Sequence, residues 1–281
     1  MKTSVIIATH NRPDSLPPLI ESLAPEMAAG SREIIVAENG TPAPMQLSLE
    51  GLPLKHLHES RAGKCRIQNR AIVQASGEIL IFLDDDLVVA PGYLEAVEQF
   101  FDTHREFAAM KGRILPAEDL EKKVGPMAVY LDLPIADHGD EVVEVRGVLG
   151  ANMAFRADTI KQVGPFDERL GPGAGGHEEE TEMSQRLRRV GFRIGYAPKA
   201  LVYHEVDETR ATRERFIRIS RERGRCRMLH EKHSAADVIL KNAIAQVRLR
   251  IAQLTGAGLP RIAREERRLA VARGMFDGLG G

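Results

Sequence analysis

Residues 78–86 read Glu78-Ile79-Leu80-Ile81-Phe82-Leu83-Asp84-Asp85-Asp86, an apolar run that ends without a spacer in three carboxylates. Its length and composition are those of a buried strand. Working outward, Ser4-Val5-Ile6-Ile7-Ala8 and Glu33-Ile34-Ile35-Val36-Ala37 have the same character, and Leu54–Leu57 is a shorter third. Helical patterns fall between them at Pro13–Leu23, Lys64–Ala75 and Pro91–Phe101. Continuous apolar strands alternating with helices predict an α/β fold: a mostly parallel central sheet, right-handed crossovers, helices on both faces. The Asp84–Asp86 triplet then sits at a strand's C-terminal end, where open α/β sheets place their ligands.

Beyond residue 109 the pattern is less regular. Strands are predicted at Met110–Leu115, Glu141–Val145, Asn152–Phe155, Phe192–Tyr196 and Ala200–His204, and helices at Asp158–Val163 and Glu179–Val190. Four glycines in Gly171–Gly176 predict a mobile loop. From 207 onward the chain reads as Arg-rich helix, with breaks expected at Gly224, Gly256 and Pro260. The expected organisation is an α/β domain over 1–206, with halves at about 1–109 and 110–206, and a helical extension over 207–281.

The chain has 281 residues, 39 Lys+Arg and 40 Asp+Glu, a net charge of −1, which argues against a nucleic-acid binder. That balance is an average. Residues 205–281 hold 17 bases and 10 acids, whereas residues 1–204 hold 22 and 30. Cys65 and Cys226 fit no metal or disulfide framework. No apolar run reaches the length of about 18 residues that a spanning helix needs. No cleavage-site pattern follows Met1, so no signal peptide is expected. The expected location is the cytoplasm, either free or peripheral on the cytoplasmic face of the membrane.

Three adjacent carboxylates repel, and a divalent cation bridging them to phosphate oxygens would relieve the repulsion. The alternative is a solvated acidic loop. Thr9 and Arg12, after the first strand, are able to hold a nucleotide and its phosphates, or merely to cap a turn. Glu38, after the second strand, is similarly placed to accept from a ribose or base.

Eight segments occur in order: SVIIATHNR, IIVAENG, AGKCRIQNRA, GEILIFLDDD, GANMAFR, GPFDERLG, EEETEMSQRLRRVGF and APKALVYHEV. Together, over about residues 3–230, they resemble a family-2 glycosyltransferase of the GT-A (Rossmann-like) fold. The resemblance implies that Thr9, Arg12, Glu38 and Lys64 line the nucleotide site. It places a DXD motif on Asp84 and Asp86, with Asp84 toward the nucleotide sugar, Asp85 near the nucleotide and Asp86 on a divalent metal, Mn2+ or Mg2+. His204 is implied as a further metal ligand, against the alternative of a structural histidine. Gly150, Asn152 and Arg156 are implied to line the donor sugar and acceptor side, against the alternative of a turn and an inner strand.

Glu179-Glu180-Thr181-Glu182, preceded by Glu178, falls where the family carries its catalytic base. Acids at a helix start complement the macrodipole, but four in five positions exceed that need. Crowded like charges raise at least one pKa, which suits a general base. Glu180 is the expected base and Glu179 the second choice. The implied reaction is metal-dependent, inverting transfer of a sugar from a nucleotide sugar (UDP-, GDP- or dTDP-linked) to a hydroxyl of a glycan, lipid-linked or small-molecule acceptor, as in polysaccharide biosynthesis. The glycine-rich loop is expected to close over the site. The rival classes are a sugar-phosphate nucleotidyltransferase, whose Gly-rich phosphate loop THNRPDS lacks, and a non-catalytic sugar-nucleotide binder. The arginines between 210 and 227 read as a salt-bridged helix, a contact for a phosphate-bearing acceptor, or a contact for an anionic membrane. Ala243–Leu254 reads as an interfacial helix or a homodimer contact.

Overall fold

The structure, a computed structural model, describes residues 1–28, 31–46 and 52–280. The apolar runs of the first ninety residues form four parallel strands, β1 (Thr3–Thr9), β2 (Arg32–Asn39), β3 (Leu54–Glu59) and β4 (Ile79–Asp84), in spatial order β3-β2-β1-β4. Both faces of β1, β2 and β4 are buried, whereas β3, at the end of the sheet, is only half-buried. Val5, Ile7, Ile34, Val36, Ile81 and Leu83 pack with helices α1 (Leu16–Met27) and α3 (Tyr93–Thr103). Ile6, Ile35, Leu80 and Phe82 pack on the other side with α2 (Lys64–Gln74), α5 (Ala157–Val163) and α6 (Glu179–Arg189). Two-faced burial is why these strands read as continuous rather than alternating.

The sheet continues past β4 through β8 (Asn152–Arg156), β6 (Phe107–Pro116), β9 (Arg193–His204) and β5 (Leu87–Val89), and β7 (Val143–Val145) also pairs with β9. β8 is antiparallel to β4 and β6, β6 is parallel to β9, and β5 is antiparallel to β9. The C-terminal ends of β1, β4, β6 and β9 therefore share one edge of the sheet. Strand order reverses between β1 and β4, so the crevice at that edge is the switch point where such sheets bind ligands.

Phe192–Tyr196 and Ala200–His204, expected as two strands, are one. The pairing with β6 jumps from Gly112↔Ala197 to Arg113↔Leu201, so Pro198, Lys199 and Ala200 bulge out of register. A proline inside a sheet requires such an irregularity. The expected strand at Glu141–Val145 shortens to Val143–Val145.

Glu33, on β2, accepts from Ser4 Oγ at 2.7 Å, Ser76 N at 2.7 Å, Ser76 Oγ at 2.6 Å and Lys55 Nζ at 2.7 Å. Burial pushes its carboxyl up, but the bonds from Lys55, Ser76 and Ser4 outweigh burial and hold it at about 2.

The chain divides into two compact units. The first comprises Met1–Ala117, Pro134–Ala174 and Glu179–Glu205; the second comprises Glu118–Leu133, Gly175–Glu178 and Val206–Gly281. The second contains α4 (Leu120–Val124), a 3-10 turn at Gly125–Tyr130, α7 (Arg213–His230), α8 (Ala235–Leu254) and α9 (Leu259–Asp277). Gly224, expected to break a helix, lies inside α7. A Cβ there would collide with Val271 O of α9, and one on Gly274 of α9 would collide with Arg221 O. The glycines permit close backbone approach at a helix crossing. The break instead follows His230, where Ser234 accepts from Asp237 N at 3.1 Å as the N-cap of α8. Pro260 opens α9 rather than interrupting it. No helix among the described residues is long and apolar enough to cross a membrane.

Glu33→Gln is expected to cost about 1–3 kcal/mol at neutral pH. Because the folded carboxyl lies below its ordinary value, the difference from wild type is full above that value and closes as pH falls from about 4.5 to about 2. Urea denaturation of both proteins across that window measures it. Gly224→Ala, which improves helix propensity by about 1 kcal/mol, is expected to lower stability by about 1–3 kcal/mol through overpacking. A raised melting temperature would contradict the close crossing.

Candidate active site

β1 ends at Thr9, whose Oγ1 donates to Asp85 Oδ2 at 2.6 Å. Asn11 then takes a left-handed conformation, φ +51°, which asparagine tolerates better than most residues. Arg12 follows, and its Nη1 donates to Asp85 Oδ1 at 2.9 Å and Asp86 Oδ2 at 2.8 Å. Burial pushes the Asp85 carboxyl up, with Thr9 and Arg12 pulling against it.

His204 reaches the same place through strand register. β5 begins immediately after the triplet, and its pairing sets Leu87 opposite His204. Glu205 N donates to Asp86 O at 3.1 Å. His204 Nε2 consequently lies 3.4 Å from Asp86 Oδ1, with both side chains almost fully buried. His204 Nδ1 is 2.8 Å from the Glu205 carbonyl. A carbonyl only accepts, so Nδ1 carries the proton and, in neutral imidazole, the Nε2 lone pair faces the carboxylate. A carboxylate oxygen beside an imidazole lone pair is a donor set that fits a divalent cation.

Lys64 opens α2, and its Nζ lies 2.5 Å from Asp84 Oδ1 and 3.9 Å from Glu179 Oε1. Burial disfavours its charge, but Asp84 and Glu179 prevail and hold the ammonium well above its usual value. Glu179, at the start of α6, is buried, and burial pushes its carboxyl up against the pull of Lys64. Glu180 hydrogen-bonds to Glu179. On β6, burial lowers the Lys111 ammonium, with the Glu180 charge opposing. Gly150 leaves room here, since a Cβ on it would stand 3.7 Å from Lys64 Nζ and 3.8 Å from Glu179 Oε1.

The acids around the α6 start have separate tasks. Glu182 pairs with Arg186 at 2.8 Å, and Glu178, in the second unit, accepts from Arg227 at 3.2 and 3.4 Å. The glycine-rich loop is seated on the first turn of α2: Lys64 N donates to Pro172 O at 2.9 Å, and a Cβ on Gly173 would collide with Gly63 N.

Thr9, Arg12, Asp85, Asp86 and His204 thus form one group, and Lys64, Asp84, Gly150, Glu179 and Glu180 another, both in the first unit. Three expected residues are used differently. Asn152 is fully buried; it accepts from Tyr93 OH at 2.7 Å and donates to Arg113 O at 3.1 Å and Ala200 O at 3.0 Å. It satisfies carbonyls that the β9 bulge removes from the ladder, and it is a structural peg rather than a donor contact. Arg156 pairs with Ile79, five residues up β4 from Asp84 and so roughly 16 Å away. Its guanidinium donates to the carbonyls of Phe101 at 2.6 Å and Phe107 at 3.1 Å. Glu38 is buried and accepts from Thr41 Oγ1 at 2.7 Å, Met45 N at 2.9 Å and His56 Nε2 at 2.9 Å, so its lone pairs serve the chain itself.

Sequence reasoning missed Lys111, although a lysine inside the run Ala108-Ala109-Met110-Lys111 was a visible signal. It also missed Asn39, which donates to Thr9 O at 2.9 Å, accepts from Gly63 N at 3.0 Å, and so joins β1, β2 and the turn before α2.

The sheet order and the switch-point crevice are those of an open α/β fold that takes its ligand at the C-terminal ends of the strands. The model of Glycosyl transferase family 2 matches residues 4–128, and that of Glycosyl transferase family group 2 matches residues 79–246, more than half of the chain. The chain belongs to the family-2 glycosyltransferases. It is 22% identical over 223 residues to the glucosyl-dolichyl phosphate glucuronosyltransferase of Haloferax volcanii, covering 75% of this chain and 71% of that enzyme. Its fold is similar to that of the mannosyltransferase PcManGT from Pyrobaculum calidifontis in complex with GDP-Man and Mn2+, with a TM-score of 0.63, 15% identity, and coverage of 99% of this chain and 87% of the other. It is also similar to S. aureus TarS 1-349 in complex with UDP-GlcNAc, with a TM-score of 0.57, 16% identity, and coverage of 99% and 92%. These likenesses establish a GT-A fold.

Lys64→Met removes the cation between Asp84 and Glu179 and is expected to cost about 2–4 kcal/mol at neutral pH, read by chemical denaturation. Adding Glu179→Gln should recover part of the loss. An unchanged midpoint in the single variant would show that Lys64 does not hold the two carboxylates together.

Proposed function

We propose that this glycosyltransferase moves a sugar, with inversion, from a nucleoside-diphosphate sugar to the hydroxyl of a glycan or lipid-linked acceptor. The carrying observation is that the Asp86–His204 donor pair and the Glu179–Glu180 carboxyl pair both stand at the crevice edge of one sheet. The similar proteins support the substrate class: the mannosyltransferase is in complex with GDP-Man and Mn2+, TarS with UDP-GlcNAc, and the Haloferax relative is a glucosyl-dolichyl phosphate glucuronosyltransferase.

Asp86 and His204 would hold the divalent cation. When bound, that cation supplies Lewis-acid stabilisation of the charge developing on the departing diphosphate. Arg12 holds Asp85 and Asp86 together at the end of β4 and stands beside the site as a second cation for phosphate oxygens. Asp84, anchored by Lys64, is placed to accept from hydroxyls of the donor. Glu180 takes the proton of the attacking acceptor hydroxyl. The two carboxyls titrate as a coupled pair: burial raises Glu179, like-charge repulsion resists the second ionisation, and Lys64 and Lys111 offset the charge of the ionised pair. A proton received by Glu180 is therefore shared with Glu179 and released as the products leave. Attack from the face opposite the diphosphate inverts the anomeric centre. Gly171–Ala174, seated on α2, keeps water from the buried Lys64–Glu179 contact.

Glu180→Gln is expected to lower kcat for transfer by about 10²–10⁴-fold with donor affinity retained. Glu179→Gln should shift the acid limb of the kcat profile to lower pH, because Glu180 then ionises beside a neutral neighbour. Steady-state kinetics with a nucleotide-sugar panel and Mn2+, plus NMR of the product anomer, measure all three features. Full transfer by Glu180→Gln, or retention at the anomeric carbon, would overturn the assignment.

A further inference from the structure

α8 has two unlike faces. Val238, Ala245 and Ala252 are buried, with Ala245 packing against Leu269 and Ala272 of α9. Opposite them, Leu240, Ile244, Val247, Ile251 and Leu254 recur at 4-3-4-3 spacing and are 43 to 86% exposed. At 100° per residue these five fall within roughly 40° of one line, a stripe about 20 Å long. Scattered exposed apolar residues need no explanation, but an ordered stripe along a whole helix does.

The flanks identify what the stripe meets. Arg248 and Arg250 lie roughly 80° to either side of it. Both are exposed, and neither makes an ion pair among the described residues. Lys241, on the Arg248 side, is 2.9 Å from Asp237 at the helix start. From residue 238 to residue 264 the sequence contains no aspartate or glutamate, while Lys241, Arg248, Arg250, Arg261 and Arg264 fall within it. The 4-3-4-3 spacing is also that of a coiled-coil seam. Pairing two copies stripe to stripe, however, sets basic flanks against flanks whose one acid, Asp237, is already paired with Lys241 of its own helix. An apolar stripe rimmed by cations on a helix too polar to span is instead the arrangement of a helix that lies in a lipid interface.

We propose that α8 docks on an anionic membrane, its axis in the plane of the surface. The five apolar side chains enter the headgroup and acyl boundary, while Arg248, Arg250 and Lys241 meet lipid phosphates. This surface lies outside the proposed reaction site, so its test is independent of donor and acceptor.

The full chain is mixed with phosphatidylcholine vesicles, with and without phosphatidylglycerol, and binding is read by flotation at low and high salt. The expected result is flotation on the anionic vesicles, weakened by salt and lost on the neutral ones. Val247→Glu with Ile251→Glu, and separately Arg248→Glu with Arg250→Glu, should each reduce partitioning about tenfold or more. All four positions are exposed, and circular dichroism verifies that the variants fold. No flotation on anionic vesicles at low salt overturns the proposal, as does flotation that the apolar variant leaves unchanged. Light scattering provides a third arm: a single copy is expected, and a dimer that Val247→Glu with Ile251→Glu dissolves would assign the stripe to a second copy and also overturn it.

Discussion

Three consecutive carboxylates at the end of a buried strand impose the constraint on which the site depends. In a strand or tight turn their charges cannot separate by more than a few ångströms, and the surrounding protein screens them poorly. The fold answers by giving each a different partner. Asp84 has Lys64 from the start of α2, Asp85 has Thr9 and Arg12 from the end of β1, and Asp86 has Arg12 and, at 3.4 Å, His204 from β9. These partners come from sequence positions as far apart as 9 and 204, so the acidic cluster couples the order of the sheet to the chemistry of its edge.

Backbone features far from that edge follow from holding those partners in place. His204 meets Asp86 only because β5 pairs with the last residues of β9, and β9 pairs along β6 for its whole length except at Pro198–Ala200. The bulge leaves carbonyls without ladder partners, and such groups are costly when buried. Asn152 supplies donors to Arg113 O and Ala200 O, with Tyr93 OH fixing its own oxygen. Gly112 must lack a side chain for Asn152 to fit. A residue in a motif that resembles a donor-binding segment is therefore used to maintain strand register, one layer behind the site.

This explains what was legible in the sequence. The strands were, because burial on both faces writes itself as uninterrupted Ile, Val and Leu. The carboxylates Asp84–Asp86 and Glu179–Glu180 were, because charge at the end of an apolar strand or the start of a helix has few structural uses. The roles of Asn152, Arg156 and Glu38 were not. Each is polar and lies near a strand terminus, and only tertiary partners decide between a ligand and a backbone carbonyl: Arg156 caps Phe101 and Phe107, and Glu38 secures Thr41, Met45 and His56. Gly224 was misread for a related reason. Glycine signals freedom locally, but a neighbouring helix can require it for closeness instead.

The uneven distribution of charge divides in the same way. The arginines of α7 are the most conspicuous feature of the C-terminal sequence, yet many are neutralised within their own unit. Arg213 meets Glu266, Arg218 meets Glu222, Arg221 meets Asp277, Arg223 meets Asp132 and Arg227 meets Glu178. Only Arg218–Glu222 is spaced along the helix itself; the other four arginines reach acids on other segments of the unit, so the run chiefly ties α7 to its neighbours. The uncompensated charge lies further on, along α8 beyond Asp237, where cations are fewer but no acid follows until Glu265 and the apolar side chains face outward. What distinguishes the two segments is the pairing of charge rather than its quantity, and that is a property of the folded arrangement.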